Sequence, residues 1–276
     1  MRQLTPLLLF VFTAACHSEH ANANAFSWSR DLAGGGTLRI RNTNGSVTVV
    51  PSANGKTARV QAATHWRRGN PERDLKFVAV TESNDATICV HWGDGTCSAT
   101  KYTNTRKPGF LGWFFKNRGT DARVDFTVEA PPGTRIDVSS VNGELSVTAQ
   151  SPVVAHTVNG GIRVATAIGP VEATTLNGDV DVRMTTIGGG GDVRAESTNG
   201  SVAAYVPQNV DGKVSMRTVN GDLETWFPLT VEGTSKRRLE GVLGAGSRNV
   251  VVRTVNGGAT LGALDALGRI VNRTAP

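Results

Sequence analysis

Ser140-Val141-Asn142-Gly143-Glu144-Leu145-Ser146-Val147 returns as Thr157-Val158-Asn159-Gly160-Gly161-Ile162-Arg163-Val164, and again as Thr175-Leu176-Asn177-Gly178-Asp179-Val180-Asp181-Val182. Three more copies are centred on Asn199-Gly200, Asn220-Gly221 and Asn256-Gly257, and an isolated early one on Asn44-Gly45. Registered on the Asn, all seven copies are apolar four residues before it (Ile40, Val138, Ala155, Ala173, Ala195, Met216, Val252) and three after it (Val47, Leu145, Ile162, Val180, Val202, Leu223, Ala259). Five after it only Thr225 is polar, while the column between is mixed. Alternation with period two is the mark of a strand with one buried face.

Asn-Gly suits a corner because Gly adopts positive φ freely and Asn tolerates it better than other residues with a Cβ. One such corner could turn an isolated hairpin or close one coil of a repeat array. Spacing decides. From Asn142 the steps are 17, 18, 22 and 21 residues, and the last, 36, reads as two such units. A step of this size fits a parallel β-solenoid, an all-β stack of rungs of about 17–22 residues in which no coil closes its own core. The phrases Pro152–Ala155, Gly169–Ala173 and Gly191–Ala195 lie between corners, giving each rung at least two strands. At about 4.8 Å per rung, the stretch from Asn142 to Asn256 makes a rod of roughly 30 Å. The Ser/Thr column two before the Asn (Ser140, Thr157, Thr175, Ser197, Thr218, Thr254) is expected to form a structural hydrogen-bonded ladder.

The 276 residues carry a net charge of +6, 32 Gly and few aromatics, which fits a turn-rich β chain with a thin core. Residues 1–15 read as an export signal: Arg2, then the apolar run Leu7–Phe12, too short to span a bilayer, then Thr13-Ala14-Ala15 before Cys16. Thr13–Cys16 resembles a bacterial lipobox, with Thr13 where Leu is usual, so Cys16 is the expected lipidation site. The competing reading is ordinary cleavage at Ala21-Asn22-Ala23 or Ala23-Asn24-Ala25. Residues 16–25 read as a tether, and its His17 and His20 are too few and too loosely held for a metal site. Residues 26–130 read as a broader N-terminal β cap, and 131–276 as the regular solenoid with a C-terminal cap formed by Leu261, Leu264, Leu267 and Ile270.

In an exported chain the pair Cys89 and Cys97 points to a disulfide. Between 101 and 118 stand Lys101, Arg106, Lys107, Lys116 and Arg118, no acid, and Phe110, Trp113, Phe114 and Phe115. Such an insertion either plugs the open end of the core or touches a membrane interface or anionic polymer. Leaving the aromatics in water would be a liability, which favours the plug.

The order Glu129-Ala-Pro-Pro-Gly-Thr-Arg-Ile-Asp-Val-Ser-Ser-Val-Asn-Gly143, then Asn-Gly rungs, then Gly246-Ser-Arg-Asn-Val-Val-Val-Arg-Thr-Val-Asn-Gly257, resembles the bacterial putative-adhesin domains of unknown function, over about Thr37–Leu261. The resemblance implies a β-solenoid that is exported or membrane-linked, and brings no catalytic residue with it. The insertion at 101–118 is outside that pattern.

Enzymes on parallel β-helices need converging carboxylates. Here Glu144, Asp179 and Asp222 are scattered over different rungs, and Asp179 with Asp181 on one strand reads as a solvated face. No Gly-x-Ser-x-Gly, His-Glu-x-x-His or phosphate loop is present. The expectation is a non-enzymatic, envelope-tethered lipoprotein facing periplasm or cell surface, without cofactor or metal, binding along an extended face. Its partners would be the membrane through the lipid, and envelope polysaccharide, anionic lipid or another envelope protein, but not nucleic acid. The alternatives are a free periplasmic or secreted protein, a self-assembling scaffold solenoid and, last, a polysaccharide-active enzyme.

Overall fold

A computed structural model of the chain describes residues 20–32, 34–93, 95–103, 120–186, 191–265 and 267–271. The N-terminal portion contains β1 (His20–Asp31), β2 (Thr37–Arg41), β3 (Val47–Pro51), β4 (Thr57–Arg68), the one-turn helix α1 (Pro71–Asp74), β5 (Leu75–Glu82), β6 (Asp85–Trp92), β7 (Thr96–Cys97), β8 (Tyr102–Thr103) and β9 (Asp121–Ala130). The middle repeats a strand pair: β10 (Arg135–Ser139) and β11 (Leu145–Ala149), β12 (Val153–Asn159) and β13 (Ile162–Thr166), β14 (Val171–Asn177) and β15 (Val180–Met184), β16 (Val193–Asn199) and β17 (Val202–Pro207). Then come β18 (Gly212–Arg217), β19 (Leu223–Thr225), the hairpin β20 (Thr230–Ser235) and β21 (Arg238–Leu243), β22 (Asn249–Arg253) and β23 (Ala259–Leu264).

Each rung gives one strand to each of two long sheets, with an Asn-Gly corner between them. The first sheet runs β1-β4-β9-β3-β11-β13-β15-β17-β23-β19 and the second β20-β21-β18-β22-β16-β14-β12-β10-β2-β6-β5. Parallel pairing is in register: Leu145, Ile162, Val180 and Val202 stand opposite one another, as do Val138, Ala155, Ala173 and Ala195. These columns point inward and are buried in a single core. Removing a Val or Leu side chain from water contributes about 1.5–3 kcal/mol, and the Ala column lets the two sheets approach closely.

Two features depart from the sequence reading. The early corner is not isolated: β2 and β3 pair in parallel with β10 and β11, so Asn44 lies directly beside Asn142. Nor is the 36-residue step two rungs. The chain leaves β17, skips a place to make β18 and β19, runs out through the β20–β21 hairpin, and returns. β22 then lies between β16 and β18, and β23 between β17 and β19, parallel to both neighbours in each case.

Asp192, just before β16, anchors this returning rung. Its carboxylate accepts from the backbone N–H of Asn249 (2.8 Å) and from the Asn249 side chain (3.0 Å). The backbone N–H first, then the side-chain amide, holds the Asp192 carboxyl below its ordinary range. A depressed folded-state pKa stabilises above the unfolded value and loses that contribution as pH falls through the folded one. The stability advantage of wild type over Asp192→Asn, which keeps an acceptor but does not titrate, should therefore be largest near neutral pH and shrink as pH falls through the depressed range of this carboxyl. Identical acid profiles would remove this role.

Antiparallel strands cap both sheets at the N-terminal end and the second sheet at the other. At the N-terminal end β4 pairs antiparallel with β9 and β1, and β5 with β6; at the other, β21 pairs antiparallel with β18 and β20. Phe26 stacks on Phe77 (5.2 Å between centroids), whose ring meets the buried Phe126 edge-on (6.4 Å). Aromatics from β1, β5 and β9 thus fill the N-terminal end, while Phe110, Trp113, Phe114 and Phe115 lie outside the described residues. The C-terminal cap is not one amphipathic stripe. Leu261 and Leu264 belong to β23, Ile270 bridges back to Leu264, and Leu267 is 75% exposed on the turn between.

Candidate binding ridge at the asparagine corners

From the core outward, each corner carries four layers. Innermost are the hydroxyls, each donating to the carbonyl of a corner Gly on the neighbouring rung: Ser140 to Gly45 (3.2 Å), Thr157 to Gly143 (3.1 Å), Thr175 to Gly160 (3.0 Å), Ser197 to Gly178 (2.8 Å), Thr254 to Gly200 (2.7 Å) and Thr218 to Gly257 (2.9 Å). All six hydroxyl residues are buried. A buried hydroxyl needs such a partner, since leaving one unpaired costs about 1–3 kcal/mol.

The glycines form the second layer. Gly178 has φ +146°, and a Cβ there would lie closer than 3.0 Å to the Gly160 carbonyl oxygen. Close approach of successive rungs, together with positive φ, excludes a side chain.

The asparagines, expected to tolerate positive φ, do not adopt it: among the described residues the non-glycine with positive φ is Ser83. Their side chains instead form a ladder. Asn159 donates to Asn142 (2.8 Å), Asn177 to Asn159 (2.7 Å), Asn199 to Asn177 (2.8 Å), Asn256 to Asn199 (2.7 Å) and Asn220 to Asn256 (2.7 Å). At the N-terminal head Asn44 turns away and donates to the Ala122 carbonyl (2.8 Å).

Outermost, between hydroxyl and Asn, stand Val141, Val158, Leu176, Thr198, Val255 and Val219 in spatial order. The five aliphatics are 37–46% exposed and make up most of the eight exposed large hydrophobics among the described residues. Such a run, about 24 Å long at 4.8 Å per rung, differs from the singly scattered apolar residues of any surface.

Charges beside the ridge are engaged locally. Asp179 accepts from the Ser201 N–H (2.7 Å), and Glu144 pairs with Arg163. Asp181 pairs with Arg183 (3.0 Å), and Glu196 with Arg194 (3.0 Å). Asp179 and Asp181 therefore serve different partners. Among the described residues no three His, Cys, Asp or Glu side chains are placed to hold a metal ion.

The stems of the basic insertion meet the head of the ridge. Tyr102 donates to the Val90 carbonyl (2.6 Å) and accepts from Thr43 (2.8 Å); Thr120 donates to Asp74 and accepts from the Asn70 N–H (3.1 Å). Thr43, Asn44, Thr120 and Asn142 line one depression. Cys89 and Cys97 are disulfide-bonded, tying β6 to β7 below those stems. Lys101 is exposed there; Arg106, Lys107, Phe110, Trp113, Phe114, Phe115, Lys116 and Arg118 are outside the described residues, as is Cys16. Strand β1 begins at His20, within the stretch read as tether, and the His20 ring lies 5.7 Å from that of Trp66. Trp66 and Asn44 line a neighbouring depression. The start of the described chain, the insertion stems and the ridge head thus share one corner.

The exposed aliphatic column was legible in the sequence, since period two sends the residue before each Asn outward, and four of the six are Val.

Residues 36–261 match the family model Toastrack DUF4097, and the chain belongs to that family. Solved structures similar to the chain include three bacterial proteins. The first is a putative cell adhesion protein from Clostridium sporogenes ATCC 15579 (12% identity, TM-score 0.47, covering 86% of this chain and 99% of that one). The second is a putative adhesin from Bacteroides fragilis NCTC 9343 (12%, 0.30, 90% and 99%). The third is a putative adhesin from Parabacteroides distasonis ATCC 8503 (9%, 0.26, 87% and 96%). No curated protein matches.

Proposed function

We propose that this chain is a non-enzymatic, envelope-tethered solenoid lipoprotein that binds another envelope protein along its corner ridge. The observation that carries the reading is the exposed aliphatic column beside a hydrogen-bonded Asn ladder. The ladder uses one donor and one acceptor of each inner amide, so the ridge offers an apolar column beside a row of exposed amides held in place, a mixture that suits a protein surface. The disulfide supports an oxidising, exported compartment. An anchor at Cys16, four residues before β1, would hold the ridge head and the insertion stems close to the membrane, where the insertion's basic and aromatic residues suit anionic headgroups. The β20–β21 hairpin covers one edge of the second sheet and disfavours end-to-end stacking.

The tether is tested by intact mass and detergent-phase partitioning of the exported protein. Wild type should carry lipid on Cys16 and enter the detergent phase, while Cys16→Ala stays aqueous. Cleavage beyond Cys16, with all the protein aqueous, would refute the lipoprotein reading.

A further inference from the structure

A second surface lies on the outer face of the first sheet. There β15, β17, β23 and β19 are neighbours, and their register sets Asp181, Ala203, Thr260 and Glu224 in one row. The next outward row is Arg183, Tyr205, Gly262 and Trp226, the last placed by its N–H bond to the Leu261 carbonyl (3.0 Å). The floor is small: Ala203, Thr260 and Gly262. A Cβ on Gly262 would run into the rings of Tyr205 and Trp226, which meet at 5.8 Å and 60°. The Arg183 guanidinium lies 5.6 Å from the Tyr205 centroid and holds Asp181 through two hydrogen bonds (3.0 and 3.3 Å). The Trp226 indole N–H donates to Glu224 (3.0 Å). Three strand spacings make the patch about 14 Å across.

Tyr205 and Trp226 close no end of the core, unlike the ring cluster of Phe26, Phe77 and Phe126. They stand half-buried on a sheet face with hydrogen-bonding groups fixed at both sides. We propose that this patch binds a neutral pyranose oligosaccharide. A pyranose presents an apolar C–H face that packs on an aromatic ring, and equatorial hydroxyls that need acceptors and donors at the rim. Asp181 and Glu224 retain lone pairs beyond the bonds they accept, and Arg183 has further N–H donors. Two carboxylates against one guanidinium leave the patch negative, so it repels the anionic polymers that the chain's overall +6 would attract.

The site deepens the reading of the chain as a binding protein, yet lies on a different face from the ridge, so each can fail without the other. The test is an NMR and tryptophan-fluorescence titration of the full chain as Cys16→Ala, with chitotetraose, cellotetraose and maltotetraose, and with polygalacturonate as the anionic probe. At least one neutral tetraose should bind saturably, shift Tyr205 and Trp226 resonances, and bind at least tenfold more weakly to Tyr205→Ala and Trp226→Ala. Tyr205→Phe, which keeps the ring, should retain most of the binding, and both Ala variants should keep the amide spectrum and melting temperature of the folded protein, so that their loss of binding is not misfolding. A ridge variant, Val158→Ser, should bind as wild type does. The proposal is overturned if no neutral tetraose binds the folded protein, if binding survives loss of either ring, or if polygalacturonate is preferred.

Discussion

Gly178→Ala is expected to destabilise the protein by about 3 kcal/mol in urea unfolding, while Gly161→Ala, one position past a corner Gly, changes it little. At Gly178 two costs combine: φ of +146°, which L side chains rarely adopt, and a Cβ driven into the Gly160 carbonyl of the adjacent rung. Forcing extra volume into a packed site costs about 1–3 kcal/mol and the unfavourable backbone about 1–2 more. The oxygen cannot simply withdraw, because it accepts the Thr175 hydroxyl at 3.0 Å. At Gly161 a Cβ would meet nothing nearer than the Asp179 carbonyl oxygen at 3.4 Å. Equal effects at the two positions would show that rungs do not approach through their corner glycines.

Phe126→Ala carries the second large effect, about 3–5 kcal/mol, the usual range for removing a fully buried aromatic ring. Phe126 is 1% exposed in β9, where it supports Phe77 and through it Phe26. In a stacked solenoid the damage should stay near the rungs that lose contacts. Hydrogen exchange should rise most in β4, β5 and β9, and least in β14 to β17. A uniform rise along the rod would mean that the chain unfolds as one unit and that the N-terminal end is not a separate cap.

Much of this architecture is legible in seven copies of one phrase, because the residues four before and three after each Asn are apolar for the local reason that they face the core. The Cys89–Cys97 bond and the β character of residues 26–130 were legible too, each from a short-range pattern, whereas β1, which begins inside the stretch read as tether, was not. Rung order was not. Val214 and Val250 occupy equivalent inward positions, and nothing in either strand states that β22 must enter between β16 and β18. The 36-residue step gives the same sum for two rungs as for one rung and a hairpin. The role of Asn was hidden for a related reason: tolerance of positive φ and a side-chain ladder call for the same residue, and only stacking distinguishes them. Likewise Tyr205 and Trp226 are brought together by β23, which follows both in the chain.

The ridge itself is tested most directly by co-sedimentation with isolated cell envelopes of the producing bacterium. The Cys16→Ala protein, without the proposed lipidation site, would be compared with the same protein carrying Val158→Ser, Leu176→Ser and Val255→Ser. All three side chains are outward, so the melting temperature should hold. Saturable, protease-sensitive envelope binding that falls at least tenfold in the triple variant is the expected result; binding that is unchanged at equal melting temperature would contradict a working ridge.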